Sequence, residues 1–105
     1  MIKAGKKTLE WEAVKKQLKI AFENAGITTC EVGPVLMNDA RYWMQAEKSR
    51  HNFFLTWAHG KKRRHLEENE LVTLVALCCV DCHNFIEQLP EAEMQAIIEE
   101  CIRIR

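Results

Sequence analysis

Leu74 to Glu87 reads LVALCCVDCHNFIE, and the way this stretch divides decides the fold. With the three residues before it, the apolar run LVTLVALC (Leu71 to Cys78) fits a strand or a buried helix by periodicity, and its length, valines and threonine favour the strand. The second part, CVDCHNFIEQL, is patterned as a helix. The change from strand to helix therefore falls at Cys79-Val80-Asp81-Cys82, and two thiolates at that spacing can bind one metal ion in a turn that leads into a helix.

A strand needs a partner. FFLTWAH (Phe53 to His59) is rich in aromatics, holds a β-branched threonine and stops at Gly60, which suits a second strand ending near His59. The two strands would be joined by a long charged connection that opens with Lys61, Lys62, Arg63 and Arg64. Downstream, Pro90 starts a helix, PEAEMQAIIEECIRI, with an apolar stripe at Met94, Ile97, Ile98, Cys101 and Ile102.

Upstream, TLEWEAVKKQLKIAFENAG gathers Leu9, Val14, Leu18, Ala21, Phe22 and Ala25 near one helical face, with Thr8 expected as N-cap and Gly26 past the end. Gly33 and Pro34 interrupt the chain, and NDARYWMQAEKSRH then suggests a short helix capped by Asn38 or Asp39, with Ala40, Trp43, Met44 and Ala46 as candidates for its apolar side. Trp43, Phe53 and Trp57 are expected to pack in the core.

At 105 residues the chain suits one domain, small enough for a metal or a partner subunit to add materially to its stability. Its divisions would be an N-terminal helical segment (1–29), a core (30–89) and a C-terminal helix (90–105). The class is α+β. Apolar residues make up 48% and charged ones 29%, which argues against disorder. The zero net charge hides a split: thirteen Lys and Arg against six Asp and Glu up to His65, then two against nine. Such asymmetry points to a polyanion or an acidic partner surface. No apolar run approaches the roughly 18 residues of a membrane span, and MIKAGKKTLEWE is no signal peptide, so a cytoplasmic protein is expected. The last helix's apolar stripe would also allow a homodimer.

Five cysteines, three of them within Cys78 to Cys82, suit thiols and metal in a reducing compartment. Cys30 is the natural third ligand beside Cys79 and Cys82. Gly33 stands where a second CxxC would end, so the fourth ligand falls to His51, Asp39 or Cys78; otherwise the thiols pack as a buried cluster.

LTWAHGKKRR followed by LVALCCVDCHNFIE resembles the HNH nuclease family, above all its small phage and prophage members, over about Cys30 to Glu87. The resemblance implies a ββα-metal fold and a DNA endonuclease, located in the host cytoplasm if phage-encoded. By position it makes His59 the general base and His83 a ligand to Mg²⁺ or another divalent ion, with structural Zn²⁺ at the cysteines. The basic run from Lys61 to Arg64 becomes a grip on the DNA backbone. Asn69 is the nearest candidate for the family's middle asparagine. Ala58 stands where many members carry a metal-binding aspartate or histidine. That departure motivates the alternative of a catalytically degenerate module that binds nucleic acid or protein.

Overall fold

The computed structural model describes residues 2–51, 54–62, 65–67 and 69–105, with side chains from residue 11 onward. The elements are α1 (Ile2–Asn24), α2 (Val32–Met37), α3 (Trp43–Lys48), β1 (Leu55–His59), α4 (Glu70–Thr73), β2 (Val75–Cys79), α5 (Val80–Glu87) and α6 (Glu91–Ile104). β1 and β2 form an antiparallel pair in which Leu55 faces Cys79 and His59 faces Val75. The class is α+β: helices around a small two-stranded sheet.

β2 is buried at all five positions because it is covered on both faces. Val75 and Leu77 pack with Leu18 and Phe22 of α1, whereas Ala76 and Cys78 join Leu36, Ile86, Met94 and Ile98 in the larger core. A strand enclosed in this way needs no polar alternation, which explains its ambiguous periodicity. Trp57 packs edge-on against Phe22 with centroids 4.8 Å apart, a geometry that adds about 0.5–1.5 kcal/mol to simple burial.

Four local expectations are corrected. α1 begins at Ile2, so Thr8 lies inside the helix rather than capping it; the residues before it include no proline to stop the helix. The Gly33-Pro34 pair does not break the chain but sits in α2, with Pro34 in the first turn, where its missing N–H has no helical partner to lose. α3 buries Ala46, with Tyr42 just before it, and leaves Trp43 and Met44 exposed at 44% and 59%. Tyr42 wins the inward position because its ring meets Phe85 edge-on and its hydroxyl donates to Glu93 at 2.7 Å. The second strand starts at Val75, not Leu71, since residues 70–73 form α4, closed by the Thr73 hydroxyl donating to the Asn69 carbonyl at 2.9 Å.

The end of α1 follows the expected rule. Gly26 takes φ +78°, the Gly26 N–H donates to Glu23 O and the Ile27 N–H to Phe22 O, a double closure that a left-handed glycine permits. Phe53 lies outside the described residues. Among the described residues, no helix is long and apolar enough to cross a membrane.

Glu31 takes the place of a third strand. Its N–H donates to Leu77 O at 2.8 Å and its carboxylate accepts the Leu77 N–H at 2.9 Å, so the open edge of β2 is satisfied there. Arg105 grips the same carboxylate through two bonds, at 2.8 and 2.9 Å, tying the chain end to the hairpin. The arrangement carries Cys30 to the β2–α5 junction.

Candidate functional site

Two clusters of chemistry-bearing side chains flank the hairpin. At the β2–α5 junction, one ligand atom from each of Cys30, His51, Cys79 and Cys82 lies within 4.8 Å of the others, and this cluster can hold a metal ion. His51 Nδ1 stands 3.5 Å from Cys82 Sγ and 3.9 Å from Cys79 Sγ. Tetrahedral coordination with metal–sulfur and metal–nitrogen bonds of about 2.3 and 2.0–2.1 Å requires about 3.6 Å between such atoms. The donor set therefore fits.

The supporting bonds point the same way. His51 Nε2–H donates to the Ala46 carbonyl at 2.7 Å, which fixes the tautomer and leaves the Nδ1 lone pair facing the sulfurs. The Gly33 N–H donates to Cys30 Sγ at 3.3 Å, just as the Cys82 N–H donates to Cys79 Sγ at 3.4 Å. The two turns are equivalent, except that glycine replaces the second cysteine of the first. A Cβ on Gly33 would lie 2.6 Å from His51 Nδ1, so the glycine vacates the space that the histidine fills. Arg50 delivers His51 by gripping Asp81 inside the CxxC, with its backbone N–H at 2.9 Å and its guanidinium at 3.0 and 3.2 Å.

Of the three residues that the sequence left open for the fourth position, the structure places His51 beside the three cysteines. Asp39 is engaged by Arg41, and the Cys78 thiol donates to the Cys79 carbonyl. The neighbouring Cys78 and Cys82 thiols hold the Cys30 thiol below the ordinary range. In return, Cys30 is the first cause pushing Cys78 and Cys82 up, while Cys79 is raised by burial.

On the other side, His59 and His83 line one cavity of about 280 Å³, together with Trp11, Trp57, Lys61 and Glu87. His59 ends β1; its Nε2–H donates to the Leu71 carbonyl at 3.1 Å, which in the neutral ring puts the lone pair on Nδ1. Trp11 of α1 stacks obliquely on it at 5.4 Å.

His83 lies one turn into α5. The Thr56 hydroxyl donates to the Cys78 carbonyl at 3.1 Å and so receives Nδ1–H of His83 at 2.7 Å. Nε2 is then an acceptor, 3.1 Å from Glu87 Oε1. Two acceptors at that separation need a proton or a cation between them. Adjacent ligands of an octahedral ion with bonds of about 2.0–2.1 Å stand about 3 Å apart, so this pair suits a divalent metal.

Asn69 is exposed at the start of α4 and does not line the cavity; the carbonyl near His59 belongs to Leu71. Ala58 is fully buried in the core. Lys61 pairs with Glu70 at 2.7 Å, while Lys62 donates through Nζ to Glu87 O at 3.3 Å and through its backbone to Glu91 at 2.6 Å. Arg63 and Arg64 lie outside the described residues. His65 meets Glu91 at 2.8 Å.

Sequence reasoning missed Glu87, although its i, i+4 spacing from His83 on a helix was visible, and it missed Thr56, for which the sequence carried no signal. Protein-family models, curated proteins and solved structures were all compared with the chain, and none matches it.

Proposed function

We propose that the chain is a metal-dependent DNA endonuclease of the HNH type, with β1, β2 and α5 forming a ββα-metal core. The observation that carries this reading is the convergence of His59, His83 and Glu87 on one cavity, with two acceptor atoms spaced for a divalent cation. The Cys30–His51–Cys79–Cys82 centre binds structural zinc under the same proposal, because a buried, closed Cys₃His set is that metal's preference.

His59 takes the proton of the attacking water, and the Leu71 carbonyl holds its ring in the tautomer that can do so. His83 and Glu87 would hold Mg²⁺ or a similar ion, with Thr56 orienting His83. Such an ion would supply the positive charge that phosphodiester hydrolysis needs. Lys61 lies on the cavity wall with its charge paired to Glu70.

A plasmid-nicking assay with Mg²⁺ and Mn²⁺ tests the reading. Wild type converts supercoiled to open-circular DNA, and His59→Ala is slower by about 10²–10⁴-fold, the usual worth of a general base. Full activity in that variant overturns the role of His59. One observation favours a second reading: with Ala58 buried, the cavity offers few protein ligands, as a degenerate nucleic-acid-binding module would. Salt-sensitive DNA binding without nicking under any divalent ion identifies that module.

A further inference from the structure

A groove of about 470 Å³ runs between α1 and β1, and no role assigned so far uses it. Its floor is Leu55, Trp57 and Leu77, and Lys15, Lys16 and Lys19 of α1 stand along its rim. Trp57 lines both this groove and the His59–His83 cavity, so the two depressions lie side by side and share one wall. Trp11, the α1 residue stacked on His59, precedes the lysine run by one turn.

The charges differ from those of the loop after β1. There, the two described lysines are bound to Glu70 and to the Glu87 carbonyl. On α1, Lys15 is paired with Glu12 at 2.9 Å, but Lys16 and Lys19 are exposed and form no ion pair among the described residues. Glu23 lies at the end of the groove away from Trp11.

We infer that this groove binds a single DNA strand and leads it to the His59–His83 cavity, an inference that rests on the nuclease reading for its direction. Phosphates bind Lys16 and Lys19, and a base lies against Leu55 and Trp57. The combination of a cationic rim with an apolar, aromatic floor serves single strands, whose unstacked bases can enter, whereas a duplex offers only its sugar-phosphate exterior to so narrow a depression. Leu55 is 40% exposed in a strand otherwise half-buried or buried, leaving apolar surface for the base to cover.

The test is an anisotropy titration of fluorescein-labelled dT12 with the zinc-loaded full chain, without Mg²⁺, from 50 to 200 mM NaCl. Wild type binds dT12 more tightly than a 12-base-pair duplex. Lys16→Gln/Lys19→Gln weakens dT12 binding at least fivefold and lowers the slope of log K against log salt by about 1.4, or about 0.7 for each phosphate no longer neutralised. Lys48→Gln, on α3 and outside the groove lining, changes affinity less than twofold. An unchanged slope in the double variant, a larger effect at Lys48, or duplex preferred over dT12 overturns the inference. If the binding results hold while plasmid nicking is absent, the groove stands and the nuclease reading alone fails.

Discussion

The two sides of the hairpin hold similar residue types in opposite states. The Cys30–His51–Cys79–Cys82 centre is closed: its three thiols are buried, its histidine is locked by Ala46, and its ligands come from three distant segments. The His59–His83 cavity is open, with half-buried imidazoles and a carboxylate that reaches solvent. Structural metal sites saturate their ligands, and catalytic ones keep positions for water and substrate. Under the proposed function the contrast places stability on one side and chemistry on the other, and perturbing either side can break that division.

Removing metal from the closed centre has the largest expected effect. Zinc contributes about 10–16 kcal/mol in small zinc-dependent folds, against a total stability of about 5–15 kcal/mol for a typical domain, so under the proposed zinc reading the fold is lost with the metal. Cys82→Ser, or strong chelation of wild type, abolishes the cooperative thermal transition followed by circular dichroism. A normal transition in the chelated protein would reduce the centre to a packed thiol cluster.

Next comes Gly33→Ala, which adds one methyl group where His51 Nδ1 already sits. Zinc affinity, measured by competition with a chromophoric chelator, falls about 10–100-fold, the usual cost of displacing a metal histidine from its support. Unchanged affinity would remove His51 from the ligand set.

On the open side, Glu87→Gln keeps shape and removes charge. The Mg²⁺ concentration for half-maximal nicking rises about tenfold while the melting temperature moves by less than about 2 °C. A collapse of stability instead would make His83–Glu87 a structural pair.

The smallest effect concerns the loop between the sides. The Lys62 N–H, followed by His65, holds the Glu91 carboxyl below its usual range. Its contribution is therefore complete above about pH 4.3, the ordinary glutamate value, and disappears as pH falls through the lower folded value. Glu91→Gln speeds amide exchange at Lys62 severalfold at neutral pH, and acid below pH 4 narrows the difference between variant and wild type; equal rates at neutral pH would show that Glu91 does not pin the loop.

Much of this architecture was legible where one local rule sufficed. The strand-to-helix change at Cys79–Cys82 follows from a short apolar run meeting a helical pattern, and the end of α1 from Gly26. The Cys79–Cys82 pair was readable from spacing and Cys30 from its place after the first helix, and the structure brings all three together with His51. His51 was only one of three options, because its selection depends on Arg50 reaching Asp81 across 31 residues and on a void at Gly33, neither of which a linear pattern encodes. α4 was hidden because Leu71 and Val72 read as strand, while the Asn69 carbonyl that closes the turn acts through its backbone. The tautomer of His83 depends on the Thr56 hydroxyl from the facing strand and becomes visible only in three dimensions.

The most direct test of the division between the two sides is native mass spectrometry of the intact chain purified without added metal. The account predicts one zinc ion per chain in wild type and in His83→Ala, and none in Cys82→Ser. A wild-type chain without zinc, or a Cys82→Ser chain that keeps it while His83→Ala loses it, would contradict the account.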